Sequence, residues 1–172
     1  MPDLNPVLSK EEIEKAIAEL AQQISNDYQD REVVLVGVLK GAFIFLADLI
    51  RHLSIPVKVD FVRLASYGHH TETSGAICLT KALEIDIAGR DVLVIEDIID
   101  TGLSLEFLLE HLKSQEPKSL RICTLIDKRE RRNSHLTVDY VGCIVERGFL
   151  VGYGLDYAEQ YRHLPAIYDL KV

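Results

Sequence analysis

The chain has 172 residues, and its 48% hydrophobic and 27% charged content is ordinary for one folded domain with an apolar core. Its 27 acidic residues outnumber its 19 basic residues, which gives a formal net charge of −8. This balance disfavours a protein that binds nucleic acid or an anionic membrane through a broad basic face. One pocket can still bind an anion, because backbone amides, a few cations or a metal ion can reverse the sign locally.

Cysteine usage and the N-terminal segment indicate a reducing compartment. Cys78, Cys123 and Cys143 are widely spaced and form no CxxC pair, so we expect buried free thiols and neither a disulfide framework nor a zinc site. The segment MPDLNPVLSKEE lacks the basic and apolar regions of a signal peptide, and no apolar run approaches the ~18 residues of a membrane span. We therefore expect a single cytoplasmic domain over residues 1–172, without membrane or nucleic-acid partners.

The first elements predict helices alternating with buried strands. Ser9 to Glu12 forms a capping-box pattern, and apolar residues at helical spacing predict a helix from Lys10 to about Ile24. The run VVLVGVL, Val33 to Leu39, is continuous in the way expected of a parallel strand covered on both faces. A second apolar helix is predicted from Ala42 to Leu53.

The middle of the chain contains the least hydrophobic segment. After a strand predicted over Val57 to Leu64, residues 66–75 read SYGHHTETSG and are expected to form a mobile loop. Strands then follow at Ala76 to Thr80 and Val92 to Glu96, and a helix at Leu103 to Lys113.

Three more strands are predicted, at Leu120 to Ile126, Val138 to Val145 and Leu150 to Tyr153. Strands that alternate with helices favour a doubly wound α/β sheet, in which ligands bind at the carboxyl ends of the strands. Lys40-Gly41, Glu96 to Gly102 and Asp127-Lys128 each follow a central strand directly. We expect all three segments to open onto one rim of the sheet.

The turn at Thr101 to Ser104 is a candidate phosphate site. It leads into a helix and offers two hydroxyls and successive backbone amides, and helix N-termini attract anions. Alternatively, it is an ordinary strand-to-helix turn with a Ser or Thr cap. A Walker-type nucleotide site is not supported, because no GxxxxGK[ST] is present.

Three carboxylates precede this turn. Neighbouring residues on a strand point to opposite faces, and burying an unpaired carboxylate is costly. At the strand's exit, Glu96 and Asp97 could both meet ligand hydroxyls or a hydrated magnesium ion. Asp100, beside the phosphate turn, would suit a proton acceptor or hydrogen-bond partner for a reacting group. Together these features predict a site for a ribose 5-phosphate.

The stretch VLVI followed by EDIIDTGLSL resembles the phosphoribosyl-pyrophosphate (PRPP) motif of the type I phosphoribosyltransferases, specifically the 6-oxopurine branch. Four further segments match in the same order: VGVLKGAFIFLADLIR, SYG, LIDKRERR and FLVGYGLDYAEQYRHLP. The resemblance implies a central, mostly parallel sheet flanked by helices, with a small hood formed by the terminal segments. It also implies a purine salvage enzyme that transfers the 5-phosphoribosyl group of PRPP to N9 of hypoxanthine and/or guanine, giving IMP or GMP and pyrophosphate.

Site roles follow from the resemblance, position by position. Glu96 and Asp97 would hold the ribose hydroxyls together with Mg²⁺, and Asp100 would act at N7 of the purine as general base or hydrogen-bond partner. The 5-phosphate would lie in the turn formed by Thr101, Gly102, Leu103 and Ser104.

For pyrophosphate, the resemblance implies Leu39, Lys40 and Gly41 together with Arg162. The family often has a non-proline cis peptide at the position of Leu39-Lys40. Ser66 and Tyr67 would lie on a flexible loop that closes over the reacting centre.

For the purine, the resemblance implies Lys128 at the 6-oxo group, Phe149 stacked on the ring, and the Leu150 backbone at the ring edge. Asp156 would coordinate a second Mg²⁺. The choice among hypoxanthine, guanine and xanthine would depend on how Leu150 and Asp156 meet the C2 substituent. The resemblance also favours a homo-oligomer, either a dimer or a tetramer.

Each of these residues also has a plain structural alternative. The run KRERR around Lys128 could be a solvated loop, Phe149 could be a core aromatic, and Asp156 with Arg162 could be a structural ion pair. Two other functions are weaker: a nucleic-acid-binding regulator would need a basic face, and a phosphoacceptor domain would need acids after the first strand, where Leu39-Lys40-Gly41 stands.

Overall fold

The structure, a computed structural model, describes residues 2–67 and 76–171. Within these ranges the chain forms nine strands and three helices, arranged around one six-stranded and one three-stranded sheet. The predicted α/β class, with a central and mostly parallel sheet, is confirmed. In the same ranges no helix is long and apolar enough to cross a membrane.

The six-stranded sheet forms the centre of the molecule. Its strands are β2 (Val33–Leu39), β3 (Val57–Tyr67), β4 (Ala76–Lys81), β5 (Asp91–Ile99), β6 (Ser119–Lys128) and β7 (Tyr140–Val145). They lie in the order β4-β3-β2-β5-β6-β7, and every neighbouring pair is parallel except β3 with the edge strand β4. The carboxyl ends of β2, β5 and β6 therefore lie side by side.

Three helices cover the sheet: α1 (Lys10–Asp27), α2 (Phe43–Ile50) and α3 (Leu103–Lys113). The capping box predicted for α1 is present, since Glu12 N donates to Ser9 Oγ at 3.1 Å and Ser9 N donates to the Glu12 carboxylate at 2.7 Å. Helix α1 continues past Ile24 to Asp27, and α2 is shorter than predicted at both ends.

The central strands separate two apolar layers. Along β2, Val33 and Leu35 face α1 and α2, whereas Val34 and Val36 face α3. Both sets are almost completely buried, which explains why this strand has no polar alternation. All three cysteines are free thiols, as expected, although only Cys123 is fully buried.

A three-stranded antiparallel sheet forms the hood. It consists of β1 (Asp3–Leu8), β9 (Ile167–Lys171) and β8 (Leu150–Val151), in that order. Leu150 and Ile167 join the apolar layer on the α1 side of the sheet, so the two sheets share one core. The terminal segments therefore form the hood that the resemblance implied, although local periodicity did not predict β1 or β9.

The prediction that Ser66 and Tyr67 begin a loop is wrong. They are the last two residues of β3, where they pair with Ile77 and Ala76 of β4. Pairing between strands gives this polar segment an extended conformation that its composition does not reveal. The rest of the predicted loop, residues 68–75, lies outside the described residues.

Candidate active site

The three strand-end segments do meet at one rim. Lys40, Asp97, Asp100 and Lys128 line a single cavity of about 350 Å³, with Phe149 and other hood residues on its far side. A second cavity of about 250 Å³ adjoins it and runs along the turn that precedes α3. The two cavities share Asp97, Ile98 and Asp100, so they form one continuous groove.

Glu96 and Asp97 lie within β5 and not beyond its end, because the strand continues to Ile99. Glu96 is half-buried and Asp97 is buried. Burial and repulsion by the Asp97 carboxylate raise the pKa of Glu96 well above its ordinary value, and burial also raises the pKa of Asp97. Two acids held this closely favour a ligand that brings positive charge, since Arg162 only partly offsets the effect of burial on the pKa of Asp97.

Gly41 lies directly against this acidic pair. A Cβ at residue 41 would be 1.9 Å from Asp97 Oδ2, so a side chain at this position would displace the carboxylate. The preceding Leu39-Lys40 peptide bond is cis, as the family resemblance suggested. On the hood side, a Cβ at Gly154 would be 2.3 Å from the Gly41 carbonyl oxygen. The backbone at Gly41 is therefore enclosed from both sides.

The turn before α3 has the form of an anion site. Gly102 is the N-cap of α3 and adopts a left-handed conformation with φ of 86°. It contributes no capping side chain, and although Leu103 N donates to Thr101 Oγ1 at 3.4 Å, the later first-turn amides are available to a ligand. Behind the turn, Asn133 N donates to Thr101 O at 2.9 Å, and a Cβ at Gly102 would be 2.1 Å from Ser134 Oγ. The segment after β6 thus supports the turn.

Asp100 and Lys128 face each other across the groove. Lys128 Nζ lies 3.6 Å from Asp100 Oδ2, and Arg131 approaches the same oxygen at 3.5 Å. Asp100 Oδ1 is buried and has no hydrogen-bond partner among the described residues. Lys128 is only 6% exposed, so the alternative in which it belongs to a solvated basic loop is wrong.

Sequence reasoning missed Arg132. Its guanidinium donates to the carbonyl oxygens of Asp100 at 3.1 Å, Ile99 at 3.4 Å and Lys128 at 3.3 Å. It also forms an ion pair with the Asp127 carboxylate. This one side chain joins the end of β5 to the end of β6. Nothing in the run KRERR distinguishes it from its solvated neighbours.

The wall of the cavity that was predicted to face a purine belongs to the hood. Phe149 is 47% exposed at the cavity and meets the Tyr157 ring edge-on at 5.6 Å between centroids, so it is not the core aromatic of the alternative interpretation. Phe149 N donates to Asp169 Oδ1 at 2.9 Å, and Leu150 is buried in β8. A fixed backbone therefore presents an exposed ring to the groove.

An ionic network of four residues lies at the end of the groove opposite the turn before α3: Lys40, Asp156, Glu159 and Arg162. Sequence reasoning also missed Glu159. Glu159 lies 3.1 Å from Lys40 Nζ and 3.2 Å from the Arg162 guanidinium. Arg162 also pairs with Asp156 at 3.2 Å and donates to Gly154 O at 2.6 Å. Hydrogen bonds from Lys40 and Arg162 lower the pKa of Glu159. The structural ion pair considered for Asp156 and Arg162 is thus present.

Within residues 2–67 and 76–171, the side chains that best fit a magnesium ion are those of the acidic pair, Glu96 and Asp97. Among the described residues no three His, Cys, Asp or Glu side chains converge on one point. Glu96 and Asp97 could supply two carboxylates to an ion that keeps several waters and substrate oxygens. Both Asp156 oxygens are engaged, one by Arg162 and the other by the Glu159 amide at 2.9 Å. A metal at Asp156 would have to replace these contacts.

Comparison with known proteins places this geometry in a family. The model of the phosphoribosyl transferase domain matches residues 5–158. The chain belongs to the phosphoribosyl transferase family. Among curated members, it is 46% identical over 170 residues to the hypoxanthine-guanine phosphoribosyltransferase of Bacillus subtilis (strain 168), covering 98% of this chain and 94% of that one. It is 46% identical over 163 residues to the hypoxanthine phosphoribosyltransferase of Escherichia coli (strain K12), covering 94% and 92%.

Solved structures of the family have the same fold. A hypoxanthine-guanine phosphoribosyltransferase from Bacillus anthracis superposes with a TM-score of 0.93 at 44% identity and covers 100% of both chains. A hypoxanthine phosphoribosyltransferase from Staphylococcus aureus gives a TM-score of 0.93 at 42% identity, covering 97% of this chain and 91% of that one. This phosphoribosyltransferase therefore has the overall fold of these relatives.

Proposed function

We propose that this phosphoribosyltransferase is a purine salvage enzyme. It transfers the 5-phosphoribosyl group of PRPP to N9 of hypoxanthine and/or guanine, and it releases pyrophosphate with IMP and/or GMP. The observation that carries the proposal is the buried Lys128 beside Asp100, in a groove that joins the turn before α3 to the exposed face of Phe149. A sugar phosphate and a planar base would lie side by side along that groove.

Charge along the groove suits PRPP. The amides at the start of α3 would bind the 5-phosphate, and Glu96 with Asp97 would accept hydrogen bonds from the ribose hydroxyls. Lys40 and Arg162 would bind the pyrophosphate group at the opposite end. Mg²⁺, when bound with PRPP at the acidic pair, would neutralise part of the charge on the leaving pyrophosphate.

The purine-facing residues suit a 6-oxopurine. The Lys128 ammonium is only a donor, so it would bind an oxygen at C6 and would oppose the amino group of adenine. Phe149 would stack on the ring, and the Leu150 backbone would contact the edge that carries C2. The Asp100 carboxylate, which lines the groove, would accept the hydrogen of N7, which favours attack by N9.

Transfer of the ribosyl group builds positive charge on the sugar and negative charge on pyrophosphate. Glu96 and Asp97 lie where the first charge would develop, and Lys40 and Arg162 lie where the second would develop. Groups fixed in advance at both ends would stabilise the transition state more than the ground state.

Several broader properties belong to the same proposal. The core shared by the two sheets supports a single domain over residues 1–172. We further propose a homo-oligomer, a dimer or a tetramer, which light scattering would measure. The three free cysteines favour a cytoplasmic location.

The deciding experiment incubates the protein with PRPP and, in turn, hypoxanthine, guanine, xanthine or adenine, with and without Mg²⁺. Product identification by mass spectrometry should show IMP or GMP only when Mg²⁺ is present, and no AMP. Absence of a nucleotide product with all three 6-oxopurines at saturating PRPP would contradict the proposed function.

A further inference from the structure

The Glu159 carboxylate lies between the two cations assigned to pyrophosphate. Its Oε2 is 3.1 Å from Lys40 Nζ, and its Oε1 is 3.2 Å from the Arg162 guanidinium. Each oxygen of the Glu159 carboxylate thus contacts one cation. Phosphate oxygens use the same donors in the same bridging manner.

The backbone directs this side chain into the site. Ala158, Glu159 and Tyr161 have φ values of 50°, 64° and 76°, a left-handed region that residues other than glycine rarely occupy. Asp156 Oδ2 accepts from the Glu159 amide at 2.9 Å, and Tyr157 and Gln160 exchange backbone hydrogen bonds at 3.2 and 2.9 Å. A turn held in this conformation fixes the direction of Glu159 toward Lys40 and Arg162.

The contacts of Glu159 with Lys40 and Arg162 are exposed enough for another anion to replace the carboxylate. The Glu159 side chain is 63% exposed and that of Lys40 is 47% exposed, whereas that of Arg162 is 19% exposed. Exposed ion pairs are weak, so an anion with several charges can displace a single carboxylate. The less exposed Arg162 would remain in place while Glu159 moves away.

We propose that Glu159 is an internal anion that occupies the pyrophosphate position of the empty site and exchanges with pyrophosphate in each catalytic cycle. This assignment rests on the proposed function, because it takes Lys40 and Arg162 as the pyrophosphate ligands. The carboxylate competes with the pyrophosphate group of PRPP during binding. After transfer it returns to both cations, which lowers the affinity for the released product.

The test is Glu159→Gln, which keeps the shape of the side chain and removes its charge. Pyrophosphate with Mg²⁺ should bind about three- to fivefold more tightly by calorimetry, the range expected for losing an exposed ionic competitor. The KM for PRPP should fall by a similar factor, and the KM for the purine should not change. Glu159→Ala should shift the same two constants in the same direction.

Glu32→Gln is a matched control. Glu32 also bridges one lysine and one arginine, Lys58 at 3.5 Å and Arg90 at 3.4 Å, but at the amino ends of the strands. This variant should leave pyrophosphate affinity unchanged. Unchanged or weaker pyrophosphate binding in both Glu159 variants would overturn the proposal.

The two proposals can fail separately. If the natural protein binds pyrophosphate but converts no purine, the proposed function fails, and calorimetry on the Glu159 variants still decides the role of the carboxylate. If purines are converted and neither Glu159 variant binds pyrophosphate more tightly, only the internal-anion role fails.

Discussion

Gly41 lies so close to Asp97 that a Cβ at residue 41 would be 1.9 Å from the carboxylate oxygen. Gly41→Ala should therefore displace Asp97 from the groove. We expect the KM for PRPP to rise at least about tenfold, since a misplaced ligand in a preorganised site loses on the order of 10²-fold in rate or affinity. Steady-state kinetics would measure this, and circular dichroism would show that the fold is retained.

Gly89→Ala is the control for this variant. Gly89 also has a left-handed φ, of 70°, but a Cβ there would have no atom within 4 Å. The substitution should lower the free energy of unfolding by about 1 kcal/mol and leave the KM for PRPP unchanged. A normal KM in Gly41→Ala would show that Asp97 does not act where we place it.

Asp100→Asn should reduce kcat by about 10²- to 10⁴-fold, the usual contribution of a positioned base. The amide keeps the shape of the carboxylate but cannot take a proton from N7. Binding of PRPP, measured by calorimetry, should change less than about threefold, because we assign Asp100 to N7 of the purine and the 5-phosphate to the turn at Thr101 to Ser104. Parallel losses in PRPP affinity and kcat would contradict the role of Asp100 as base.

Lys128→Ala should raise the KM for hypoxanthine and guanine by about 10- to 100-fold, as expected for a lost charged hydrogen bond of about 1.5–3 kcal/mol. Discrimination against adenine should relax, because the donor that opposes its amino group is absent. Arg129→Ala, one residue away and about half exposed, should leave both quantities unchanged. Equal purine kinetics in Lys128→Ala and Arg129→Ala would contradict a role for Lys128 in base recognition.

The pKa of Glu96 predicts how stability depends on pH. Because burial raises the folded-state pKa above the unfolded value of 4.5, the folded protein holds the proton longer than the unfolded chain. Stability from this group is therefore full below pH 4.5 and is lost as pH rises through the folded pKa, by up to about 1.4 kcal/mol per pH unit.

Glu96→Gln isolates this contribution. The stability of the variant relative to the natural protein should increase as pH rises above 4.5, in urea unfolding without metal. Mg²⁺ should stabilise the natural protein at pH 8 more than the variant. A stability difference that stays constant between pH 4.5 and pH 8 would contradict the raised pKa.

The sequence predicted elements wherever local chemistry decides the conformation. Val33–Leu39 is continuously apolar and Leu103–Lys113 follows a glycine turn, and the structure has both with these bounds. Ser66 and Tyr67 were wrongly assigned because their extended conformation depends on pairing with β4. The hood strands β1 and β9 are short and stabilise each other across nearly the whole length of the chain.

The same difference between local and long-range determinants applies to the residues of the site. Residues at or just after the end of a central strand, such as Lys128 and Asp100, were predicted to share a rim because the fold class places the carboxyl ends of parallel strands side by side. Glu159 was missed because its role depends on Lys40, 119 positions earlier in the sequence. Arg132 was missed because its partners are mainly backbone carbonyls, which leave no pattern of side chains in the sequence.

Those backbone contacts of Arg132 have a consequence for how the site tolerates change. A carbonyl oxygen is present whatever the residue, so substitutions at Ile99 or Lys128 leave the acceptors of Arg132 in place. Arg132 therefore adds a side-chain link that survives such substitutions to the backbone pairing that joins β5 to β6 as far as Ile99 and Asp127. Side chains along the groove can therefore change without loosening the junction between the two strand ends.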